Sequence, residues 1–206
     1  RVAIDAAHAH VSGADNADVS GLAVSEAGVA FSVLERALPF PVADSARSVL
    51  ATLPIMQDLD QEVLVVQGLA PGSFDVRIDG ASVGSFEGAA LGRGINLAEL
   101  PSTPQLAQAR QVAKANEARR AAEVVLRNYA AVRWFLRHRA VDPDDLGAVK
   151  LFAETRMSKT GYYEGQVPAY LANWSKRGEV EGRIRAIEQD VAALRKPVAH
   201  RYELVQ

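Results

Sequence analysis

The alternation of hydrophobic and polar positions changes character near residue 101. Before it, Val, Gly, Ser and Asp alternate in short runs; after it, Ala, Arg and Glu dominate and Gly thins out. That pattern predicts an α+β protein, with a small antiparallel β-rich domain over residues 1–100 and a long-helix antiparallel helical region over 101–206. Val2 to Ile4, His8 to Val11, Gly21 to Val24 and Val29 to Leu34 read as short strands, with turn chemistry at Ser25-Glu26-Ala27-Gly28. Leu38-Pro39-Phe40-Pro41 must be extended, because a residue before proline is pushed out of the helical region. Ser45 to Leu53 reads as a short helix.

The clearest local signal is Phe74-Asp75-Val76-Arg77-Ile78-Asp79-Gly80-Ala81-Ser82-Val83. Phe74, Val76 and Ile78 share one strand face while Asp75 and Arg77 point the other way. Asp79-Gly80 suits a two-residue hairpin turn, since both positions tolerate positive φ. Pairing this hairpin with Glu62 to Gln67 is expected to give a three-stranded antiparallel sheet covered by the helices that follow.

Ser102-Thr103-Pro104-Gln105 starts a helix expected over 103–139, with a hydroxyl cap and a proline in the first turn. At 1.5 Å per residue it spans roughly 50 Å, more than one small sheet covers. Asp142-Pro143-Asp144-Asp145 places acidic groups at the start of a second helix, expected over 143–158. Lys159 to Gln166 reads as a loop. A third helix is expected over 167–195, where Val167, Tyr170, Leu171, Trp174, Val180, Ile184, Ile187, Val191 and Leu194 form a stripe for packing against another helix.

Composition narrows the function classes. Apolar residues make up 49% and charged residues 23% of the chain, which is a folding composition. The net charge of −2 argues against nucleic acid or an anionic membrane surface as partner. With no cysteine there is no disulfide, thiolate metal site or cysteine nucleophile. The longest apolar runs, such as Val63 to Val66, are too short to span a bilayer. Arg1 opens directly into a strand, with no initiator Met and no apolar signal region. The expectation is a fragment or processed piece whose targeting signal lies upstream, with the compartment left open.

Candidate chemistry is sparse. Asp5 and His8 have the spacing of a pair that serves a serine nucleophile. On one continuous strand they would point to opposite faces, so coincidence is the better reading. His8 and His10 share a strand face but lack the third ligand that zinc requires, so no metal is expected. His138 belongs to a cationic cluster at a helix end. Gly92-Arg93-Gly94 lacks the strand-turn-helix setting of a phosphate loop and reads as a turn. Arg119, Arg120, Arg127, Arg133, Arg137 and Arg139 read as a solvated helix face. Tyr162, Tyr163, Tyr170 and Trp174 are the candidate substrate- or partner-contact residues, weighed against core or interface packing. Nothing assembles a catalytic set, and no cofactor is implied.

Several segments resemble the C-terminal region of bacterial SGNH/GDSL-type esterases. They are Arg36-Ala-Leu-Pro-Phe-Pro-Val42, Leu64-Val-Val-Gln-Gly-Leu69, Phe74-Asp-Val-Arg-Ile-Asp-Gly80, Val83-Gly84, Gly94-Ile-Asn-Leu-Ala98, Thr103-Pro104-Gln105 and Gln108-Ala109. Each is weak alone; their order and spacing carry the resemblance over residues 2 to about 118. It implies that a flavodoxin-like α/β core, with the nucleophilic serine, the oxyanion Gly and Asn and a late Asp-x-x-His, precedes this chain. Ala9 stands where that family has proline after the His, so no catalytic residue is carried onto Asp5 or His8. The implied role is an accessory, non-catalytic region of a bacterial ester hydrolase, exported if a signal lies upstream. It would partner the upstream SGNH catalytic domain, shape substrate access, or build a homo-oligomer through the helices. The alternative is a stand-alone glycan- or protein-binding module, and a complete enzyme of unfamiliar type ranks last.

Overall fold

The computed structural model describes residues 1–50, 52–157 and 161–206. The first strands are β1 (Val2–Asp5), β2 (His10–Ala14), β3 (Ala17–Ser25) and β4 (Gly28–Glu35). Two short helices, α1 (Arg47–Leu50) and α2 (Ile55–Asp58), precede β5 (Val63–Gln67), β6 (Ser73–Ile78) and β7 (Ala81–Glu87). Then come α3 (Gly88–Arg93), β8 (Ile95–Asn96), α4 (Pro104–His138), α5 (Leu146–Thr155), α6 (Val167–Asn173), α7 (Arg177–Leu194) and β9 (His200–Val205). The α+β class read from the sequence holds. The expected short helix at Ser45 to Leu53 includes residue 51, the second helix ends at 158, and the loop at 159–166 includes 159 and 160; those four positions lie outside the described residues.

The chain forms two compact units, residues 1–113 with 193–206, and residues 114–192. In the first unit, one sheet has the order β2-β1-β5-β8 and the other the order β3-β4-β9-β6-β7. Their inward positions meet in a single apolar core: Ile4, Leu64 and Val66 from the first sheet, Phe31, Val76 and Leu204 from the second. The hairpin expected around Asp79-Gly80 is present, and both residues take positive φ, 52° and 80°.

Its expected partner is different. Residues 63–67 pair in parallel with β1 in the other sheet, and the hairpin instead pairs through β6 with β9. Leu64, Val65 and Val66 are all buried, so β5 is a strand covered on both faces, with α3 packed against it, and not an alternating edge partner. β9 was not foreseen at all: it enters between β4 and β6 as the central strand. His200 Nδ1 lies 2.7 Å from Asp79 Oδ2, and Asp79 Oδ1 accepts from the Arg201 N–H at 2.9 Å. The turn residue thereby fixes where β9 begins.

The second unit is helical. Val132, Phe135 and Leu136 of α4 pack with Val149 and Phe152 of α5 and with Val167 and Tyr170 of α6. The Tyr170 hydroxyl donates to the Pro143 carbonyl at 2.7 Å. Helix α5 starts later than expected because Asp145 is its cap, accepting from the Ala148 N–H at 3.0 Å. The expected helix over 167–195 is interrupted at 174–176, just after Asn173, which sits at φ −108° and ψ 6°. The Asn173 amide bonds back to the Ala169 carbonyl at 2.8 Å, a local bond that competes with helix continuation. No helix among the described residues is long and apolar enough to cross a membrane.

Two substitutions test this packing. A Cβ on Gly28, which sits at φ +132°, would lie 1.9 Å from the Leu204 carbonyl oxygen. Gly28→Ala is expected to lower stability by about 3 kcal/mol or more in urea unfolding, since backbone must move. Tyr170→Phe leaves the Pro143 carbonyl without its donor and is expected to cost about 1–3 kcal/mol in the same assay.

Candidate functional site

Strand parity brings a carboxylate into the core of the first unit. Along β4, Val29, Phe31 and Val33 face inward, and so does Glu35, only 9% exposed. On the neighbouring strand β9, Tyr202 also faces inward, its ring stacked on Phe31 with centroids 5.3 Å apart. Its hydroxyl donates to Glu35 Oε1 at 2.7 Å. Gln105, in the first turn of α4 and 1% exposed, donates to the same oxygen at 3.1 Å and also contacts the Tyr202 hydroxyl. Two strands and a helix start thus fix one carboxylate oxygen and leave the other, Oε2, without a partner.

Asn96 on β8 organises the opposite side. Its Oδ1 accepts from the N–H groups of Glu62 at 2.8 Å and Ala98 at 3.2 Å. Its amide donates to the carbonyls of Met56 and Asp60, both at 3.0 Å. Three of these four bonds hold residues 56–62 in place. Asp60, 6% exposed, accepts through Oδ1 from the Phe40 N–H at 2.9 Å. That bond ties the extended proline segment onto the same strap.

Between these parts lies a cavity of about 220 Å³. Glu35, Asp60, Glu62 and Tyr202 line it together with apolar Val33, Leu64 and Leu97. Four buried carboxyl oxygens have no hydrogen-bond partner among the described residues: Glu35 Oε2, Asp60 Oδ2 and both oxygens of Glu62. Burial pushes the Glu62 carboxyl up to about 8, with further contributions from Glu35 and then Asp60. Burial, and then Glu35, hold the Tyr202 phenol far above its ordinary value. A wall of oxygen acceptors under a raised carboxyl binds hydrogen-bond donors and positive charge.

The residues singled out from the sequence lie elsewhere. Asp5 and His8 do meet, because residues 6–9 form a turn and not a continued strand; His8 Nδ1 is 2.9 Å from Asp5 Oδ2. Hydrogen bonding to His8 holds the Asp5 carboxyl below its usual value. The pair is exposed, and Asp5 is the only hydrogen-bond partner of the His8 ring among the described residues. Among the described residues no cluster of His, Cys, Asp and Glu is placed to hold a metal ion. His138 Nδ1 caps back onto the Trp134 carbonyl at 2.8 Å. Arg133 is paired with Asp144 at 2.6 Å, and Arg119 with Glu123 at 2.9 Å.

Of the aromatic candidates, Tyr170 is 1% exposed and packs on Tyr129 and Trp174. Tyr163 stacks on Phe135 with centroids 5.7 Å apart, and Tyr162, 73% exposed, meets Tyr163 edge-on. The structure therefore gathers them around the core of the helical unit, with Tyr170 buried, Tyr163 and Trp174 half-buried and Tyr162 exposed. The sequence reading passed over Glu35, Asp60, Glu62, Gln105 and Tyr202. A signal for two of them was present: Glu35 continues the inward parity of Val29, Phe31 and Val33, and Glu62 that of Leu64 and Val66.

No known protein family's sequence profile matches the chain, and no curated protein matches it in sequence. Among solved structures it is similar to BT4096, a gut microbial diltiazem-metabolizing enzyme, with 25% identity and a TM-score of 0.89. The match covers 100% of this chain and 49% of that one, so the chain spans about half the length of the enzyme it resembles. This corrects the reading as an accessory, non-catalytic C-terminal region of an SGNH/GDSL-type hydrolase. The whole chain is shared with a protein described as an enzyme, and neither the family nor the curated comparison gives any support for SGNH/GDSL kinship. The alternative of a stand-alone glycan- or protein-binding module finds no support either, and the esterase expectation falls with the resemblance that implied it. What the match establishes for this chain is its fold.

Proposed function

We propose that this chain is part of an enzyme that metabolises small organic molecules, and that the carboxylate-lined cavity of its first unit holds a polar group of the substrate. The observation that carries this reading is the likeness of the whole chain to about half of a diltiazem-metabolizing enzyme. The cavity supports it on physical grounds. Burying three carboxyl groups together costs stability, and a fold retains such a cost where the groups do a job. At about 220 Å³ the cavity falls below the roughly 300–1,000 Å³ of sites that enclose a drug-sized ligand. It accommodates one group of a substrate while the remainder lies outside.

The test uses diltiazem as probe. Incubation with the protein that carries this chain is expected to consume the drug, followed by liquid chromatography and mass spectrometry; an unchanged substrate overturns the reading. Glu35→Gln is expected to raise KM about tenfold with a smaller change in kcat, the signature of a lost charge-assisted binding contact.

The protonation of the cavity has a separate readout. Glu62 titrates near 4.5 in an unfolded chain and at about 8 in the folded one. Between those values the folded state holds more protons than the unfolded state, so stability falls as pH rises through that window and levels above it. Glu62→Gln lacks this slope. Thermal melts are expected to show the variant gaining on the parent steadily from acid to about pH 8; parallel curves for the two proteins would remove the buried proton from the account.

A further inference from the structure

We propose that the cavity is a receptor for an organic cation bearing several N–H groups, an alkylguanidinium or a primary alkylammonium, seated between Glu35, Asp60 and Glu62. This deepens the reading of the cavity as a substrate-binding place and rests on it. The argument starts from donors and acceptors. Tyr202 and Gln105 spend their donors on Glu35 Oε1, and the Phe40 N–H is spent on Asp60 Oδ1. Of these three carboxyl groups four oxygens remain unpaired among the described residues, one each from Glu35 and Asp60 and two from Glu62. Glu35 and Asp60 are 9% and 6% exposed, so bulk water does not reach those atoms freely.

A ligand that satisfies this set must bring several donors and positive charge. An ammonium carries three N–H groups and a guanidinium five, in a planar fork that matches carboxylates. A bare metal ion fits less well, because among the described residues no three such side chains converge on one coordination point. An anion, itself an acceptor, is a poor match for the unpaired oxygens of Glu35 and Asp60. The apolar walls at Val33, Leu64 and Leu97 suit the alkyl stem of the cation.

Binding is coupled to a proton. The groups that act on Glu62 are Glu35 from β4 and Asp60 from the strap after α2. Tyr202, from β9, feels the Glu62 charge in turn. The Arg1 side chain lines the same cavity and is exposed, with no ion pair to these three carboxyl groups among the described residues. A seated cation favours the ionised form of Glu62, so it expels the proton that burial and the neighbouring carboxyls retain. The reaction is cation plus protonated cavity giving complex plus one released proton. Affinity therefore strengthens as pH rises toward about 8 and flattens above it.

Isothermal titration calorimetry of the intact protein with n-butylguanidinium and n-butylammonium chloride tests this, in two buffers of different ionisation enthalpy. The expected result is saturable binding that tightens by roughly fifty- to a hundredfold between about pH 6 and pH 8.5, with proton release below pH 8. Tetramethylammonium, which has the charge and no N–H, is expected to bind at least about tenfold more weakly. Glu62→Gln is expected to bind with no pH dependence and no proton release, and Asp60→Asn to bind the cations more weakly at every pH. A parent protein that binds neither cation overturns the proposal. So does one that prefers tetramethylammonium or calcium, or one whose pH profile survives in Glu62→Gln.

A parallel titration with a short peptide carrying Arg or Lys separates the sources of the cation. Tighter binding of the free alkyl cations assigns the site to a small molecule; tighter binding of the peptide assigns it to a polypeptide side chain and overturns the substrate reading. Because calorimetry needs no turnover, a protein that binds the cations and leaves diltiazem unchanged refutes the enzyme reading alone.

Discussion

The first unit depends on one strand arriving late. Hairpins β3–β4 and β6–β7 each present an open edge to the other, and β9 fills the gap by pairing with β4 on one side and β6 on the other. Without residues 200–205 both edges are unpaired, and the inward positions held by Tyr202 and Leu204 are missing from the core. These contacts join residues near 30 and near 76 to residues beyond 200, so the unit closes across most of the chain's length. Such pairings form only after a large loop entropy has been overcome, which places completion of this sheet among the slow steps of folding.

The same strand delivers the polar cluster that makes the unit more than a scaffold. Tyr202 brings its hydroxyl to Glu35 from β9, while Gln105 reaches the same oxygen from the first turn of α4. Opposite them, Asn96 uses every donor and acceptor it has on residues 56–62 and 98, a fully satisfied, half-buried amide. The contrast between the saturated Asn96 and the unsaturated Glu35, Asp60 and Glu62 distinguishes framework from site. Buried polar groups are normally paired, and four unpaired carboxyl oxygens lie together around one cavity.

Legibility in the sequence followed the range of the interaction. Features decided within a few residues were readable: the Asp79-Gly80 turn from two residues that tolerate positive φ, the start of α4 from Thr103-Pro104, and the extended proline run at 38–41. Features decided by distant partners were not. The pairing of residues 63–67 with β1 depends on burial of both faces, which a short apolar run does not reveal. β9 follows Pro197 as a six-residue strand whose alternation, His200, Tyr202 and Leu204 inward, is visible once a sheet exists to receive it. Glu35 and Glu62 sat on the correct parity, yet a charged residue at an inward position reads as a strand end until tertiary structure shows it buried. Asp5 and His8 show the reverse: the turn at 6–9 brought them together, although strand geometry had set them apart.

Gln108 has a consequence for how this architecture can vary. Its amide nitrogen donates to the Leu194 and Lys196 carbonyls, both at 2.7 Å, and so pins the outgoing polypeptide beside the returning one. Everything between those points leaves and re-enters the β-unit through a single doorway. A segment hung on such a clasp changes length, or gives way to another insert, without altering the register of any strand. The clasp uncouples the length of the helical excursion from the pairing of the sheets and from the acidic hollow between them.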